Sequence, residues 1–239
     1  MNTYRMNAVM AGALYFLGTF FGVLGAVIGG EVLTSIISGK PLAGVDILGL
    51  AAADSSRLTG GAFLTLMMGI SLVAMTVFLY PVLRKASKEL AMGMILFRGA
   101  LEGIFYFVST LNILTLVAVG NEYIATGADS TVLQSIGKVL YQVENLKAPL
   151  SSIIFLIGAT CIYLTFYRTR LVPRWLSVWG FIAVVTSMAS ALLNFFHLDT
   201  GYGFYLEMVM FPQEIAMAVW LIVKGFNPKA IAALSAITD

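Results

Sequence analysis

Long, uninterrupted apolar stretches dominate the pattern of hydrophobic and polar positions along the chain. A helix needs about 20 residues to cross a hydrocarbon core of about 30 Å. Six stretches reach that length, and they predict transmembrane helices near residues 8–30, 61–83, 91–119, 148–167, 175–196 and 204–223. The pattern therefore predicts an all-α integral membrane bundle of six transmembrane helices, in which residues 1–239 form a single transmembrane domain.

Two of the connections between these spans are not plain loops. In the connection near 131–145, apolar residues recur at helical spacing with polar residues between them. This predicts an external amphipathic helix that either lies in the membrane interface or extends the fourth span outward. The apolar run 45–53 is too short to span, and we expect it to tuck against the bundle.

Composition supports lipid as the solvent of this chain. Hydrophobic residues make up 59% of the 239 residues and charged residues 11%, whereas a soluble domain carries about 25% charged residues. No basic run with interleaved aromatic residues is present, so nucleic acid is not an expected partner. With Cys161 and His197 as the single cysteine and the single histidine, we expect neither a metal site nor another cofactor.

The positive charges are distributed unequally between the two sides of the predicted bundle. The connections on one side hold Arg5, Arg84, Lys85, Lys88, Arg168, Arg170, Arg174, Lys224 and Lys229, nine in all, and those on the other side hold four, Lys40, Arg57, Lys138 and Lys147. Lysine and arginine concentrate in short cytoplasmic loops. The asymmetry therefore predicts that both termini are cytoplasmic. We expect the membrane to be the cell (inner) membrane.

Two charged residues interrupt the apolar third span. Arg98 and Glu102 are four residues apart, so they share one helix face. At about 1.5 Å per residue from Glu89, Arg98 lies roughly 13 Å and Glu102 roughly 20 Å inside the membrane. A charge at the bilayer centre costs about 2.5–3.5 kcal/mol on insertion scales. We therefore expect both side chains to face a partner or a water-filled cavity.

The sixth span supplies the candidate partner of Arg98. Glu214 precedes Lys224 by ten residues, which places it roughly 15 Å from that end of the helix and close to the depth of Arg98. We predict an Arg98–Glu214 ion pair that joins the third and sixth spans, with Glu102 beside it. The predicted charge network or ligand site consists of Arg98, Glu102, Glu207, Gln213 and Glu214.

The remainder of this set also comes from the sixth span. Glu207 lies two turns further out than Glu214 on the same face. Pro212 lacks the amide hydrogen that would close the helix there, and transporters commonly place their sites next to such broken helices. Three carboxylates against one arginine leave the set short of positive charge. A protonated carboxylate, a bound cation or water would restore the balance. The alternative is a static network that fixes the register of the helices.

Small and polar residues follow helical faces in other spans. Gly180, Ala183, Ser187, Ser190 and Asn194 form a stripe on the fifth span, and Ser187, Ser190 and Asn194 either line a cavity or pack against a neighbouring helix. The glycines Gly18, Gly22, Gly25 and Gly29 lie on one face of the first span, and Gly99 and Gly103 repeat the spacing on the third. Close helix packing is the favoured interpretation, and a ligand channel is the alternative.

The sequence between the fourth and fifth spans resembles a known family. The segments Gly158-Ala159-Thr160, 167–177 (YRTRLVPRWLS) and Trp179-Gly180 are similar to bacterial membrane proteins catalogued as domain of unknown function 4386. Tyr80-Pro81, Arg98 with Glu102, and Pro212 with Glu214 extend the resemblance over nearly the whole chain. The resemblance implies a bacterial or archaeal multi-pass membrane protein without an established activity, so no catalytic residue is assigned. In Pro173-Arg174-Trp175, we expect the proline to open a helix, the arginine to meet lipid headgroups and the tryptophan to lie in the interface.

Three functions are compatible with these observations. The first is a small-molecule or ion transporter with its charged site between the third and sixth helices. The second is a non-catalytic accessory, sensor or assembly subunit, either in a homo-oligomer or in a larger membrane complex. The third is an intramembrane enzyme that acts on a lipid or quinone with its carboxylates as acid and base. An enzyme is the least expected, since no nucleophile or metal set accompanies the carboxylates. Membrane lipids are partners under all three.

Overall fold

The computed structural model describes residues 3–38, 46–198 and 201–238, and these are helical over most of their length. Lys40, part of the predicted charge asymmetry, lies outside the described residues, as does residue 45 of the apolar run 45–53. The helices are α1 (Thr3–Ile28), α2 (Gly30–Ser38), α3 (Ile47–Ala53), α4 (Ser55–Leu83), α5 (Lys88–Met94), α6 (Glu102–Ala125), α7 (Thr131–Thr169), α8 (Arg174–Phe195), α9 (Gly203–Glu207), α10 (Met210–Val223) and α11 (Pro228–Thr238). A π-helical segment, Ile95–Leu101, joins α5 to α6.

Six transmembrane helices are confirmed by length and composition within the described residues. They are α1, α4, the continuous helix Lys88–Ala125, α7, α8 and the stretch Tyr205–Val223. The structure extends several spans beyond the predicted bounds. At about 1.5 Å per residue, the 39 residues of α7 measure roughly 58 Å, almost twice the thickness of a hydrocarbon core.

The extra length of α7 decides between the two interpretations of the segment near 131–145. The amphipathic residues form the first half of α7 and run without a break into the fourth span. An outward extension of the span is therefore the observed arrangement, and a separate helix in the interface is not. The exposed residues of this half are mixed, since Val132 and Val139 are 67% and 57% exposed and Ser135, Lys138 and Gln142 are exposed as well.

The chain forms two compact units. Unit 1 comprises residues 1–19, 70–103 and 150–239, and unit 2 comprises residues 20–69 and 104–149. Unit 1 contains all nine cations of the first side of the predicted bundle, and unit 2 contains all four of the second side. The positive charge of the chain is thus concentrated in unit 1.

In unit 2, helix α3 packs against two glycines. Leu48 and Ala51 are buried, and an added Cβ at Gly120 would lie 2.9 Å from the carbonyl oxygen of Leu48. A Cβ at Gly137 would lie 2.5 Å from the Leu48 side chain. Residues 46–53 of the predicted run therefore tuck against their neighbours, because two positions without a side chain leave room for them.

In unit 1, aromatic and long aliphatic side chains fill the core. Tyr163 and Phe166 of α7 are almost completely buried, and the Phe166 ring lies 6.1 Å from that of Phe226. The guanidinium of Arg5 donates hydrogen bonds of 2.8 Å and 3.1 Å to the carbonyl oxygens of Ile222 and Val223. These bonds cap the C-terminal end of α10, whose last carbonyls have no partner within the helix.

The glycine faces pack helices closely, as the favoured interpretation predicts. In unit 1, an added Cβ at Gly18 would lie 2.7 Å from the Leu72 side chain, and one at Gly103 would lie 2.7 Å from that of Val73. In unit 2, a Cβ at Gly22 would lie 2.7 Å from the Met68 sulfur. Within each unit, α4 thus approaches its neighbours where they lack side chains. Without a hydrophobic driving force between helices in lipid, such close contact stabilises their association.

Candidate functional site

Arg98 is the centre of a charge cluster inside unit 1. Its guanidinium forms ion pairs with Glu102, one turn along the chain, and with Glu214 of α10, at 3.3 Å between Nη2 and Oε1. The side chains of Arg98 and Glu102 are 3% and 1% exposed, and that of Glu214 is 15% exposed. The predicted Arg98–Glu214 ion pair is therefore present, with Glu102 beside it.

Two aromatic rings complete the surroundings of the Arg98 guanidinium. Its central carbon lies 4.3 Å from the ring centroid of Phe155 and 5.5 Å from that of Tyr15. The hydroxyl of Tyr15 also donates a 2.9 Å hydrogen bond to Glu214 Oε1. Ring faces carry partial negative charge and attract the cation without accepting its protons. Tyr15 therefore contacts both members of the ion pair.

The backbone around Arg98 departs from the α-helix. Residues Ile95–Leu101 form a π-helix, a rare conformation that occurs mostly as single-turn bulges and often at functional sites. Gly158 of α7 lies directly against this bulge, because a Cβ there would approach the Arg98 amide nitrogen to 2.6 Å. A Cβ at Gly99 would lie 2.9 Å from Thr76 Oγ1. The wider helix thus occupies space that two glycines leave free.

The formal charges of this cluster do not cancel. One guanidinium faces the carboxylates of Glu102 and Glu214, so the three groups together carry a net charge of −1 when all are ionised. A net charge at this burial is expensive in a medium of low dielectric constant. The arrangement is therefore suited to take up one proton or one small cation.

Gln213 lies beside the cluster and is connected to it through Tyr163, whose side chain is hydrogen-bonded to Tyr15. It is completely buried, accepts a 2.7 Å hydrogen bond from the Tyr163 hydroxyl and donates one of 3.2 Å to the carbonyl oxygen of Leu176. Gly180 packs flat against the Tyr163 ring, with an added Cβ only 2.8 Å away. Gln213 therefore links α10 to α7 and α8, and its predicted contact with a ligand stays a prediction.

Glu207 and Glu214 lie on two different helices within the sixth span. Glu207 ends the short helix α9, and α10 begins at Met210. Pro212 lies in the first turn of α10, where its missing amide hydrogen would have had no partner within the helix anyway. The helix is therefore interrupted before the proline, and Pro212 helps to start α10.

Glu207 instead lies next to the polar stripe of α8. Its Oε1 accepts a 2.9 Å hydrogen bond from Ser190, and Asn194 donates one of 3.4 Å to the Ser190 hydroxyl. Ser187 is buried, and its hydroxyl has no hydrogen-bond partner among the described residues. These contacts favour the packing interpretation of the stripe, and cavity lining by Ser187, Ser190 and Asn194 stays a prediction.

A second buried polar cluster lies in unit 2, around a carboxylate of the segment that the sequence predicts to be amphipathic. Glu144 of α7 is only 2% exposed. It accepts hydrogen bonds from the Ser109 hydroxyl at 2.7 Å and the Asn112 amide at 3.2 Å, and it forms a 2.8 Å ion pair with Lys147. The spacing of Ser109 and Asn112 on the third span, three residues apart, is the signal that could have revealed a polar partner.

The structure thus defines a polytopic α-helical membrane protein in which two spans meet at a buried, unbalanced charge cluster. The chain belongs to the family described as Domain of unknown function (DUF4386), which matches residues 10–225. An "Uncharacterized protein" of Archaeoglobus fulgidus (strain ATCC 49558 / DSM 4304 / JCM 9628 / NBRC 100126 / VC-16) is 26% identical over 170 residues, covering 69% of this chain and 82% of that protein. No solved structure matches the chain.

Proposed function

We propose that the protein is a small-molecule or ion transporter coupled to protons, and that Arg98, Glu102 and Glu214 form its proton-binding site. The observation that supports this proposal most is that two buried carboxylates share one guanidinium. Uptake of one proton makes the group neutral, and its release leaves a net negative charge. A coupling site needs two charge states, because each state can then stabilise a different conformation of the transporter.

The surroundings of the cluster support the same proposal. The π-helical segment places Arg98 and Glu102 on a stretch of backbone that can convert to an α-helix by a shift of one hydrogen-bond register. Glu214 follows the interruption between α9 and α10, and transporters commonly bind ions beside discontinuous helices. Glu214 is also the most exposed member of the cluster. It is therefore our candidate for the group that exchanges the proton.

A proton-binding site can be tested without knowing the transported molecule. The purified protein is reconstituted in liposomes on a solid-supported membrane, and a pH jump is applied while the transient current is recorded. We expect a current in the wild type that falls at least tenfold in Glu214→Gln and in Glu102→Gln. Glu144→Gln, which removes the buried carboxylate of unit 2, is the matched control and should keep the current. A wild-type current equal to that of protein-free liposomes would overturn the proposal.

The alternative function is an accessory or assembly subunit, and one observation favours it. Gly158 leaves no space at the Arg98 backbone, so the cluster is packed as tightly as a structural anchor requires. In that case the protein would copurify with another membrane protein, and pH jumps would produce no current. Purification in native lipids followed by mass spectrometry of bound chains and ligands distinguishes the two functions.

We also propose that both termini lie in the cytoplasm and that the protein resides in the cell (inner) membrane. The nine cations of unit 1 against the four of unit 2 support this orientation. Cysteine labelling with an impermeant maleimide tests it, after replacement of Cys161 by Ser. A cysteine at position 168 should be protected in intact cells, and one at position 129 should react.

A further inference from the structure

We propose that unit 1 carries a binding site for the phosphate of an anionic headgroup, separate from the Arg98 cluster. The site is a cavity of about 590 Å³ between the α7–α8 connection and the α10–α11 connection. Three cations line it, Arg170, Arg174 and Lys224, together with the ring of Trp220. Its volume falls in the usual range of small-molecule sites, about 300–1,000 Å³.

The charge around this cavity has one sign. No aspartate or glutamate is among its lining residues, and the described part of the chain shows no ion pair to Arg170, Arg174 or Lys224. A cavity with three cations and no carboxylate attracts an anion, and arginine matches the geometry of phosphate oxygens with two parallel hydrogen bonds. Phosphate is therefore the ligand chemistry that fits these residues.

Arg170 lies in a backbone conformation that an arginine would not adopt for local reasons. Its φ is 56°, in the left-handed region where glycine is favoured at the end of a helix. It directly follows α7, and its amide donates a 2.9 Å hydrogen bond to the carbonyl oxygen of Phe166. Glycine would suit this turn better, so the turn itself does not require the arginine side chain.

The walls of the cavity are held in place by contacts between its two connections. The amide of Asn227 donates a 2.8 Å hydrogen bond to the carbonyl oxygen of Leu171. The rim also includes the positive end of α8, whose first residue is Arg174 and which no side chain caps. The negative end of α10 is neutralised because Arg5 binds its last carbonyls. The groups that would repel an anion are thus already occupied.

Trp220, which lines the cavity, indicates that the cavity lies at the level of lipid headgroups. The Trp220 ring contacts that of Trp175 at 6.4 Å, and Trp175 stacks on Trp179 at 6.4 Å. Tryptophan concentrates at the interface between hydrocarbon and water. Basic pockets at that level bind anionic phospholipid headgroups. The same phosphate chemistry is offered by a soluble phosphate, and the experiment separates the two sources.

The three tryptophans of the chain, Trp175, Trp179 and Trp220, make fluorescence a direct readout of this region. The detergent-purified full chain is titrated with phosphatidylglycerol or phosphatidylcholine in mixed micelles, and separately with inorganic phosphate. We expect saturable quenching or enhancement with phosphatidylglycerol and none with phosphatidylcholine. Arg174→Gln and Lys224→Gln should each raise the half-saturating concentration about fivefold. Arg168→Gln, which removes a neighbouring cation outside the lining, should leave it within twofold.

Arg170→Gly separates binding from folding. It should weaken phosphatidylglycerol binding about fivefold while the thermal stability stays equal or rises, because glycine suits the left-handed turn. If only inorganic phosphate gives a signal, with the same dependence on these three cations, the phosphate site is confirmed and its ligand is a soluble phosphate. Equal responses to both lipids, or an equal effect of Arg168→Gln, would overturn the proposal. Neither outcome depends on proton binding by the Arg98 cluster.

Discussion

Two buried carboxylate clusters, one in each unit, differ in how their charge is balanced. In unit 2, the single carboxylate of Glu144 faces one ammonium group, that of Lys147, and accepts two further hydrogen bonds. In unit 1, two carboxylates share the single guanidinium of Arg98. Burial alone therefore does not mark a functional site, because both clusters are buried. The excess of negative charge distinguishes the cluster of unit 1.

The surroundings of the two clusters differ in the same direction. Helix α7 stays α-helical around Glu144, with Pro149 one turn further on, and Glu144 accepts from a neutral hydroxyl and a neutral amide beside its ion pair with Lys147. Around Arg98 the backbone forms a π-helix, and aromatic rings cover the cation. A satisfied network stabilises one structure, whereas an unbalanced one on irregular backbone is suited to change its state. We therefore propose a structural role for Glu144 and a functional one for the Arg98 cluster.

The largest expected effect is the loss of the cation in unit 1. Arg98→Met leaves the buried carboxylates of Glu102 and Glu214 without their shared cation, which should lower the free energy of unfolding by about 3–5 kcal/mol. Chemical unfolding in detergent micelles measures it. Adding Glu102→Gln and Glu214→Gln should recover most of the loss. The control is Arg84→Met, an exposed cation whose loss should cost within about 0.5 kcal/mol; equal losses for the two arginine variants would contradict the comparison.

A smaller effect is expected from filling the space beside the π-helix. In Gly158→Ala, the new methyl group would lie 2.6 Å from the Arg98 amide nitrogen, so the helices must separate, at a cost of about 1–3 kcal/mol. The matched control is Gly60→Ala, where the nearest atom, in the Ile28 side chain, is 3.4 Å away. There alanine should stabilise the helix by about 0.5–1 kcal/mol. The account expects the melting temperature to fall in Gly158→Ala and to rise in Gly60→Ala. A change of the same sign in both variants would contradict it.

The smallest effect is expected at the balanced cluster. Glu144→Gln keeps the shape of the side chain and one acceptor for Ser109, but it weakens the contact with Lys147. Ser109 and Lys147 both contact Oε2 of Glu144, and a glutamine oxygen at that position can still accept from both, so the stability should fall by only about 1–2 kcal/mol. Proton-dependent currents should not change. A loss of those currents in Glu144→Gln would mean that both clusters serve the same function.

The sequence predicts well the depth of each residue along its helix axis. The rise per residue is nearly constant, so counting from the charged helix ends placed Arg98 and Glu214 at one level, and they meet. The six spans follow from the same regularity. The direction in which a side chain points around the helix axis is harder to predict from sequence, because it depends on which neighbour each helix face meets. This is why the Tyr15 contact with the ion pair escaped sequence reasoning.

Local irregularities also escaped prediction, for physical reasons. The π-helix at Ile95–Leu101 adds a residue to one turn, and glycine at position 158 of another helix permits it, so no local pattern encodes it. Glu144 falls among the polar residues of the segment that the sequence predicts to be amphipathic. It is buried because Ser109 and Asn112, far away in the sequence, approach it. Partner residues on distant helices decide these features.

The presence of one proton in the Arg98 cluster is the claim on which the functional account depends. Infrared spectroscopy of the purified protein at neutral pH measures it directly, because a protonated carboxyl group absorbs at a different frequency from a carboxylate. The account predicts one protonated carboxyl band in the wild type and in Glu144→Gln. The same band should vanish in both Glu102→Gln and Glu214→Gln, since one carboxylate and one guanidinium already balance. Absence of the band in the wild type, or its persistence in both of these variants, would contradict the account.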